Sequence, residues 1–352
     1  MNNNKNNKIY ILILNWNSWR DTIECIESVL KSDYKNFQIV LIDNNSQDNS
    51  VENIKKYLER RIFPDLSTNV KLKDKVKPFF KEKIPYICYS EEEALLGGNI
   101  KKEEGFTTSN GIKYPVIIIR NKENYGFAKG NNIGLKFIFK RNDYKYVWFL
   151  NNDTVVEKDT LFNLIKEGEK DNKIGFIGSV IRYYDKPELI QTIGGGKFYP
   201  ILGMGKLYFK NKHISILNKL NTEKVNKELD YIMGASLLIK KEVLEDIGIF
   251  DEDYFLYTEE LDLITRGRRK GWRLAVVLNS YVYHKESAST KDKKWLYYYL
   301  INKSNMIYLK KHYGMPYNLI SIPFIMINTL RTVKNFENLK ASIKGVIDGI
   351  RW

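Results

Sequence analysis

YKYVWFLNNDTVVEKD, residues 144–159, is the stretch from which the fold can be predicted. Its run Tyr146–Leu150 is short, apolar and rich in aromatic residues, which predicts a strand buried on both faces. That strand leads directly into Asn151, Asn152 and Asp153. Polar side chains at the carboxyl end of a buried strand lie where open α/β sheets bind their ligands, although Asn and Asp also favour ordinary turns. The tripeptide alone therefore leaves a binding site and a simple turn as alternatives.

Similar apolar runs precede this stretch and also end in polar residues. We predict strands at residues 9–14 (IYILIL), 38–42 (QIVLI) and 115–120 (PVIIIR). Apolar residues at helical spacing predict helices at about residues 20–32, 51–58, 130–140 and 158–169. Strands that alternate with helices in this way form a mostly parallel sheet, and right-handed crossovers bring their ends to one edge. The predicted fold class is therefore α/β.

Two stretches depart from this alternation. Residues 59–114 contain three prolines, an acidic run at Glu91–Glu93 and the pair Gly97-Gly98, so we predict an insertion with short elements of its own. Residues 208–228 are interpreted as a polar excursion between strands. We predict those later strands at residues 175–182 and 231–239, with a glycine-rich loop or hairpin at 192–207.

The C-terminal region, residues 301–352, is predicted to be helical, basic and partly apolar. It contains eight Lys or Arg and two acidic residues, a net charge of +6. The apolar run Leu319–Leu330 is too short to span a bilayer but could lie in a membrane surface, and packing into a core is the alternative. We therefore divide the chain into a main domain, residues 1–300, and this region, with membrane-surface contact as one of its two interpretations.

The composition limits the classes of protein to which this chain can belong. The 352 residues are 43% hydrophobic and 28% charged, which is typical of an ordered globular chain. The polar start and the lack of an apolar run of about 20 residues lead us to expect a cytoplasmic location. Cys25 and Cys88 are too few for a disulfide framework or a cysteine-based zinc site. The net charge of +15 indicates a polyanionic partner, and because no nucleic-acid-binding motif is present we favour a phosphate-bearing ligand or an anionic membrane.

Three further features could carry chemistry. The Gly-containing turn before the helix at 130–140 could bring backbone amides close to a phosphate, or could serve chain geometry only. Acidic residues crowd residues 251–262, where repulsion between like charges can raise the pKa of a carboxylate towards that of a useful base, although acids also favour helix starts. His284 follows a strand-like run, in contrast to His213 and His312.

Four segments in order carry a family resemblance. They are LNWN (14–17), VLIDNNSQDNS (40–50), NKENYGFAKGNN (121–132) and FLNNDTVVEKD (149–159). Together they resemble the family-2 inverting glycosyltransferases of the GT-A fold, and specifically the rhamnosyltransferase-like branch of cell-surface polysaccharide assembly. The resemblance continues through residues 231–272 and 281–289. It implies a three-layer α/β/α sandwich with a mixed, mostly parallel sheet.

The resemblance also implies roles for individual residues. Asp43 corresponds to the acid that contacts the nucleotide base, with Asn15 and Asn45 nearby. Asn151, Asn152 and Asp153 occupy the place of the Asp-x-Asp motif that holds Mg²⁺ or Mn²⁺ on the diphosphate, and His284 the place of a histidine that completes the metal site. Only Asp153 keeps a carboxylate in that tripeptide, which puts tight metal binding before the nucleotide arrives in doubt. Other matched positions lie beside the nucleotide: Asn124, Gly126, Lys129, Gly130 and Asn131.

For the acceptor side, the resemblance implies an acidic pair whose second member is the general base. Here that pair is Glu259-Glu260, and we predict Glu260 as the base, with Glu259 and Asp262 as alternatives. We assign Gly234, Ala235 and Trp272 to the donor-sugar or acceptor side.

The predicted function is transfer of a sugar from a nucleoside-diphosphate donor to a hydroxyl of a glycan or lipid-linked glycan. Two rival functions remain open from the sequence: a sugar nucleotidyltransferase, and a non-catalytic glycan-binding protein on the same scaffold.

Overall fold

The architecture is built around strands whose bounds agree closely with the apolar runs of the sequence. The computed structural model describes residues 8–66, 68–106, 112–285, 294–333 and 335–352. Its strands are β1 (Ile9–Asn15), β2 (Phe37–Asp43), β3 (Tyr86–Ser90), β4 (Val116–Arg120), β5 (Tyr146–Leu150), β6 (Thr154–Val156), β7 (Ile174–Tyr183), β8 (Ile190–Ile193), β9 (Gly195–Tyr199), β10 (Met204–Leu207), β11 (Tyr231–Ile232), β12 (Ser236–Lys240) and β13 (Arg273–His284).

The helices alternate with these strands in the first half of the chain and cluster at its end. They are α1 (Trp19–Leu30), α2 (Ser50–Leu58), α3 (Lys73–Val76), α4 (Glu91–Leu95), α5 (Ile100–Glu104), α6 (Gly126–Arg141), α7 (Thr160–Gly168), α8 (Thr222–Glu228), α9 (Lys241–Ile247), α10 (Glu259–Arg269), α11 (Lys294–His312), α12 (Met315–Thr332) and α13 (Phe336–Arg351). Short 3₁₀ helices lie at Val70–Leu72 and Ile214–Lys219.

Most of the strands join one large mixed sheet. In the described residues its order is β3-β4-β2-β1-β5-β12-β7-β13-β6, and β8 pairs with β7. Strands β1, β2 and β5 are parallel, β12 is antiparallel to both β5 and β7, and β13 is parallel to β7. The carboxyl ends of β1, β2, β5, β7 and β13 therefore share one edge of the sheet with the amino end of β12, and we call this the ligand edge.

Both faces of the sheet are covered, which explains the continuous apolar runs. In β1 the odd residues Ile9, Ile11 and Ile13 belong to a core with α1, α2 and α7, whereas Tyr10 and Leu12 belong to a second core with α6, α9 and α10. Successive side chains of a strand point to opposite faces, so a strand covered on both faces is apolar at every position. The structure is a three-layer α/β/α sandwich, as predicted.

The segment predicted as an insertion contributes to the main sheet. Its strand β3 pairs in parallel with β4 and forms the edge of the sheet, with Tyr86 opposite Val116. The short run YICYS among charged residues gave no clear strand signal, which is why the sequence did not predict it. The polar excursion likewise contains the second 3₁₀ helix and α8.

The strand predicted at residues 231–239 is split in two. Tyr231–Ile232 pairs with β9 in a separate three-stranded sheet of order β10-β9-β11, and β12 begins at Ser236 in the large sheet. Residues 233–235 make the break between them, where Ser236 N–H donates to the carbonyl of Met233 at 3.1 Å. This break exposes backbone at the ligand edge.

The C-terminal helices pack on the main domain and on one another. Helix α11 begins at Lys294 and crosses the boundary that we predicted at residue 300. Its Ser304 hydroxyl donates to the carbonyl of Leu256 at 3.0 Å, and Asn305 accepts from Thr258 at 3.0 Å. In the part of the chain that the structure describes, a helix with the length and apolar character needed to cross a membrane does not occur.

Candidate active site

A polar network connects the ends of β1 and β2 at the ligand edge. The Asn15 side-chain amide donates to Asp43 Oδ1 at 2.8 Å and to Ser46 Oγ at 3.0 Å, and Asn15 Oδ1 accepts from the Thr22 hydroxyl at 2.7 Å. Asp43 Oδ2 accepts the backbone N–H of Ser46 at 3.1 Å. Asn15 and Asp43 are both buried. The carboxylate of Asp43 is therefore fixed in position by the neighbouring strand before any ligand binds.

Asn44 organises the next segment. Its amide donates to Asn124 Oδ1 at 2.8 Å and to the carbonyl of Gly126 at 3.0 Å. Its carbonyl oxygen accepts from the Asn121 amide at 3.0 Å and from the backbone of Tyr125 at 3.2 Å. These bonds hold the segment that precedes α6 against the end of β2.

Gly126 begins α6 instead of lying in a loop before it. Its φ is +74°, and a Cβ at this position would lie 2.1 Å from the carbonyl oxygen of Phe255. Phe127 N–H donates to that same carbonyl at 2.7 Å. Because α6 starts one turn earlier than predicted, Gly130 lies within it, where a Cβ would be 3.0 Å from Leu14. Gly126 therefore lets α6 pack against the loop that carries the acidic pair.

The three polar residues after β5 point in two directions. Asn151 lies 3.4 Å from His284 Nε2, and Asp153 Oδ1 lies 3.2 Å from the same nitrogen. The Asn152 amide instead donates to the Thr22 hydroxyl at 3.0 Å and lies 3.5 Å from Asn15 Oδ1. Asn152 thus belongs to the Asp43 network, whereas Asn151 and Asp153 face His284.

Asp153 and His284 form a buried pair with a third residue behind it. His284 Nδ1 lies 2.9 Å from Gln191 Oε1, so an Nδ1–H donated to Gln191 leaves Nε2 facing Asp153. Burial opposes ionisation of Asp153, but His284 in its protonated form, with Nε2–H donating to Asp153, outweighs burial and lowers the pKa of this carboxyl. A carboxylate oxygen and an imidazole nitrogen are therefore presented side by side.

The predicted base lies at the start of α10. Glu260 Oε1 accepts the backbone N–H of Gly234 at 2.8 Å, in the break between β11 and β12. Burial raises the pKa of Glu260. Burial, together with the charge of Glu260, raises the pKa of Glu259 well above its ordinary value. Glu259 is buried and its Oε2 has no hydrogen-bond partner, whereas Glu260 is half-buried. Glu260 is therefore the member of the pair that a ligand can reach.

The backbone before this pair adopts an uncommon conformation. Tyr257 and Thr258 have φ values of +72° and +74°. Non-glycine residues rarely occupy this region, and a strained backbone persists only where its surroundings hold it. The Thr258 hydroxyl, fixed by Asn305 of α11, provides one such contact. The C-terminal helices therefore help to position the acidic pair.

Asp262 makes different contacts. Its oxygens accept from Arg266 Nε at 2.8 Å and lie 2.7 Å from His312 Nε2. Burial opposes its ionisation, but the His312 hydrogen bond and the Arg266 charge outweigh burial and lower the pKa of Asp262. An ion-paired, strongly acidic carboxylate is a poor base, so Asp262 is better suited to join α10 to α11.

Backbone contacts bring the parts of the site together. Asn151 N–H donates to the carbonyl of Ala235 at 3.3 Å, next to Gly234, which contacts Glu260. The predicted residues Asp43, Asp153, Glu260 and His284 therefore share the ligand edge.

The structure places other predicted residues outside these contacts. Trp272 precedes β13 at the opposite edge of the sheet and donates to Asp246 at 2.8 Å, so it is removed from the site. The ammonium of Lys129 lies 4.0 Å from the Tyr125 ring centroid, and the Asn131 amide bonds to Phe127 within α6. Asn45 lies in the exposed turn after β2 with φ +60°.

Sequence reasoning missed three supporting residues: Thr22, Asn44 and Gln191. Asn44 stood next to Asp43 in a run of polar residues and could have been found there. Thr22 and Gln191 lie in an ordinary helix and an ordinary strand, where the sequence gives no sign of a function.

A divalent cation would be held here by few protein atoms. In residues 8–66, 68–106, 112–285, 294–333 and 335–352, a cluster of three or more His, Cys, Asp and Glu suited to metal does not occur. Asp153 and His284, oriented by Gln191, offer two ligand atoms, which fits a cation that also binds oxygens of a ligand. The chemistry supported by this edge is binding of an anionic ligand beside a carboxylate base.

The sequence of this chain also matches a known protein family. The family model described as "Glycosyl transferase family 2" matches residues 10–76 and 107–248. The gap between the two matched segments, residues 77–106, lies inside the predicted insertion, and residues 249–352 lie beyond the match.

Two curated relatives are similar to this chain over part of their length. The chain is 27% identical over 163 residues to rhamnosyltransferase WbbL of Escherichia coli K12, covering 44% of this chain and 58% of that protein. It is 24% identical over 237 residues to the low-salt glycan biosynthesis hexosyltransferase Agl10 of Haloferax volcanii, covering 65% and 73%.

Solved structures show the fold. S. aureus TarS 1-349 aligns with a TM-score of 0.50 and 13% identity, covering 97% of this chain and 81% of that one. GalNAc-T7 with UDP, GalNAc and Mn²⁺ aligns with a TM-score of 0.51 and 17% identity, covering 90% and 52%. The predicted GT-A fold is confirmed.

Proposed function

This chain belongs to glycosyl transferase family 2, and we propose that it is an inverting, metal-dependent glycosyltransferase of cell-surface polysaccharide or glycoconjugate assembly. The donor would be a nucleoside-diphosphate sugar, either dTDP-rhamnose-like or a UDP-sugar. The acceptor would be a hydroxyl of a glycan or lipid-linked glycan. Similarity to a rhamnosyltransferase supports the first donor, and similarity in fold to TarS 1-349 in complex with UDP-GlcNAc is compatible with the second.

One observation carries the proposal. The half-buried carboxylate of Glu260 and the buried pair Asp153–His284 lie at one edge of the sheet, joined through residues 234–235 and Asn151. Glycosyl transfer needs a base at the acceptor and a positively charged partner at the leaving diphosphate. This edge offers groups for both tasks within one set of contacts.

On the donor side, Asp43 would accept hydrogen bonds from the nucleotide base, held in place by Asn15. Asn45 and the segment from Asn124 to Asn131 would lie beside the nucleotide. Asp153 and His284 would hold Mg²⁺ or Mn²⁺ together with the diphosphate, and the bound cation would neutralise charge on the leaving group. A structural neighbour, the mannosyltransferase PcManGT from Pyrobaculum calidifontis, was solved with GDP-Man and Mn²⁺, and its TM-score of 0.50 makes such a site compatible with the fold.

On the acceptor side, Glu260 would take the proton of the attacking hydroxyl. The acceptor oxygen forms a bond to the anomeric carbon as the bond from that carbon to the diphosphate oxygen breaks, and nucleoside diphosphate leaves. Attack from the face opposite the leaving group inverts the anomeric configuration. The Gly234 N–H would keep the Glu260 carboxylate in its orientation. We also propose that the enzyme acts in the cytoplasm, at the inner face of the cell membrane.

The test is product analysis combined with a base variant. We expect the purified chain with Mn²⁺ or Mg²⁺ to release nucleoside diphosphate from one of a panel of UDP-, dTDP- and GDP-sugars. Glu260→Gln should lower kcat by about 10²- to 10⁴-fold, the usual contribution of a general base, and leave nucleotide affinity unchanged. Glu223→Gln, on the exposed surface of α8, is the matched control and should behave as the parent chain.

Three results would each overturn part of this proposal. Transfer by Glu260→Gln at the parental rate would remove the base assignment. Release of pyrophosphate would identify a nucleotidyltransferase, and binding of nucleotide sugars without turnover would identify a non-catalytic protein.

A further inference from the structure

Helix α12 buries mainly polar side chains and exposes apolar ones, the reverse of what is expected for a surface helix in water. Four of its side chains are buried. One is apolar, Ile325, and three are polar: Asn318, Ser321 and Thr329. They recur at intervals of three or four residues and so form one face of the helix. This inner face packs on α11 and on the β9–β10 hairpin, where a Cβ at Gly203 would lie 2.9 Å from Ser321.

Each inner polar side chain makes at least one hydrogen bond within the described protein, although Asn318 Oδ1 has no partner. The Asn318 amide donates to the carbonyl of Met306 at 3.2 Å, and the Ser321 hydroxyl donates to the carbonyl of Asn318 at 2.9 Å. The hydroxyls of Thr329 and Ser342 are 2.8 Å apart, and the Asn302 amide reaches Ser342 at 2.5 Å. The arrangement is therefore a specific packing of α12 against α11 and α13.

The outer face of α12 is apolar and exposed. Leu319 is 59% exposed and Leu330 64% exposed, and Phe336, just beyond the helix, is 80% exposed. The other large exposed apolar side chains of α12 are Met315, Tyr317, Ile320, Phe324 and Ile327. A surface helix in water normally buries its apolar face and exposes its polar one. Small and polar contacts between helices with large apolar side chains outside are typical of helices in lipid.

Positive charge accompanies this face. Residues 315–332 contain no acidic residue, and Arg331 at the end of α12 is exposed. Helix α13 adds Lys340, Lys344 and Arg351, all exposed. Basic side chains beside an apolar helix face complement an anionic lipid surface, at which each Lys or Arg contributes favourably.

We propose that α12 binds the surface of an anionic lipid bilayer, lying parallel to it with Leu319, Phe324 and Leu330 inserted. A parallel orientation follows because the helix is too short and too interrupted to cross a bilayer, and Pro323 lies within it. Through α11, the inserted helix is joined to Thr258 and so to the acidic pair. Binding would hold the ligand edge beside lipid-borne acceptors. This last consequence rests on the proposed function, whereas lipid binding itself does not.

The test is cosedimentation of the full chain with sucrose-loaded vesicles of phosphatidylglycerol and phosphatidylcholine. Replacing Leu319, Phe324 and Leu330 by serine should weaken binding at least about tenfold, since each removes apolar area that the lipid would bury. The control replaces Phe63, Val70 and Leu96 by serine, three apolar residues elsewhere on the surface that are 57%, 82% and 82% exposed, and should bind as the parent chain does. Vesicles of phosphatidylcholine alone should bind more weakly, and added salt should weaken binding to the anionic vesicles.

Several outcomes would overturn the proposal. One is a parent chain that stays in the supernatant with anionic vesicles. Another is equal binding by the α12 variant and the parent. A third is a parent chain that is dimeric in solution, does not bind vesicles, and becomes monomeric in the α12 variant, which would assign this face to a second copy. Circular dichroism and nucleotide binding of each variant distinguish loss of lipid binding from loss of folding, and intact lipid binding without sugar transfer would refute only the proposed function.

Discussion

At the scale of single residues, neighbouring carboxylates acquire different properties from their contacts. Glu260 accepts one backbone N–H, Glu259 is buried with an unpartnered oxygen, and Asp262 is ion-paired with Arg266. The pKa is raised for Glu260 and for Glu259, and it is lowered for Asp262. Separate environments thus allow one short segment to hold both the base that we propose, Glu260, and a carboxylate that anchors α10 to α11, Asp262.

The raised pKa of Glu260 predicts a pH dependence. Its carboxylate must be ionised to accept a proton, so kcat/KM should fall as pH falls through the raised pKa. This acidic limb should lie above the value of about 4.3 that is usual for Glu. The measurement is kcat/KM for sugar transfer between about pH 4 and 8, with Glu223→Gln as control. A limb at the ordinary Glu value would contradict the prediction.

The position of Gln191 behind His284 predicts that replacing it weakens metal binding. Replacing it with leucine removes the acceptor that orients the His284 ring, and such outer partners typically contribute about 10- to 100-fold to metal affinity. We expect the Mn²⁺ concentration for half-maximal transfer to rise by that factor, while affinity for nucleotide without metal stays unchanged. Glu223→Gln, on the exposed surface of α8, is the control. An unchanged Mn²⁺ requirement would show that Gln191 does not position a metal ligand.

At the scale of elements, the site depends on close packing between α6 and the loop before α10. Phe255 accepts from Phe127, and Asn44 accepts from Tyr125 on the other side of the same segment. The start of a sixteen-residue helix is thereby held between β2 and the acidic pair. This contact joins the end of β2 to the loop that carries the acidic pair.

Gly126→Ala tests that contact. The new Cβ would lie 2.1 Å from the carbonyl oxygen of Phe255, and the alanine would have to adopt φ +74°. Gly271→Ala is a matched control because its φ is +88° and a Cβ there meets no atom within 4 Å. Both variants have the conformational cost of about 1–2 kcal/mol, and Gly126→Ala should be less stable by a further 1–3 kcal/mol or so from the clash. Urea unfolding measures both, and equal losses would show that the close approach does not matter.

At the scale of the whole molecule, the C-terminal helices pack into a common core with the main domain. Buried residues of the main domain, Tyr254 and Leu261, share a core with Met306 and Tyr308 of α11. Lys311 also pairs with Asp251 and with Asp253, the latter at 2.6 Å. We therefore propose that the division at residue 300 separates regions of the sequence but does not separate units of stability.

Removing residues 301–352 tests this point. Loss of α12, α13 and most of α11 would expose the shared core and leave Asp262 without His312. We expect the full chain to show one calorimetric transition, and the truncated chain to melt at least about 10 °C lower or to be insoluble. A truncated chain with the parental melting temperature and nucleotide affinity would show that the main domain is independent.

Much of the fold could be predicted because its strands are buried on both faces. The runs that lead to Asn15, Asp43, Arg120 and Leu150 are apolar at nearly every position, and the structure confirms strands there. The edge strand β3 was missed because its run is short, and the start of α6 was placed a turn late because two glycines resembled a loop. Local patterns report burial, and they report element ends less reliably.

The sequence by itself determined the α/β class, the family resemblance and the presence of an acidic pair, because hydrophobic period and contiguous motifs are local properties of the chain. Only the tertiary structure decided that Gln191 lies behind His284, that Asp262 joins α11, that Trp272 is remote from the site, and that α12 presents its apolar face outward. Each of these depends on contacts between residues far apart in sequence. Such contacts form only when the sheet order and the helix packing are fixed, and local pattern does not encode them.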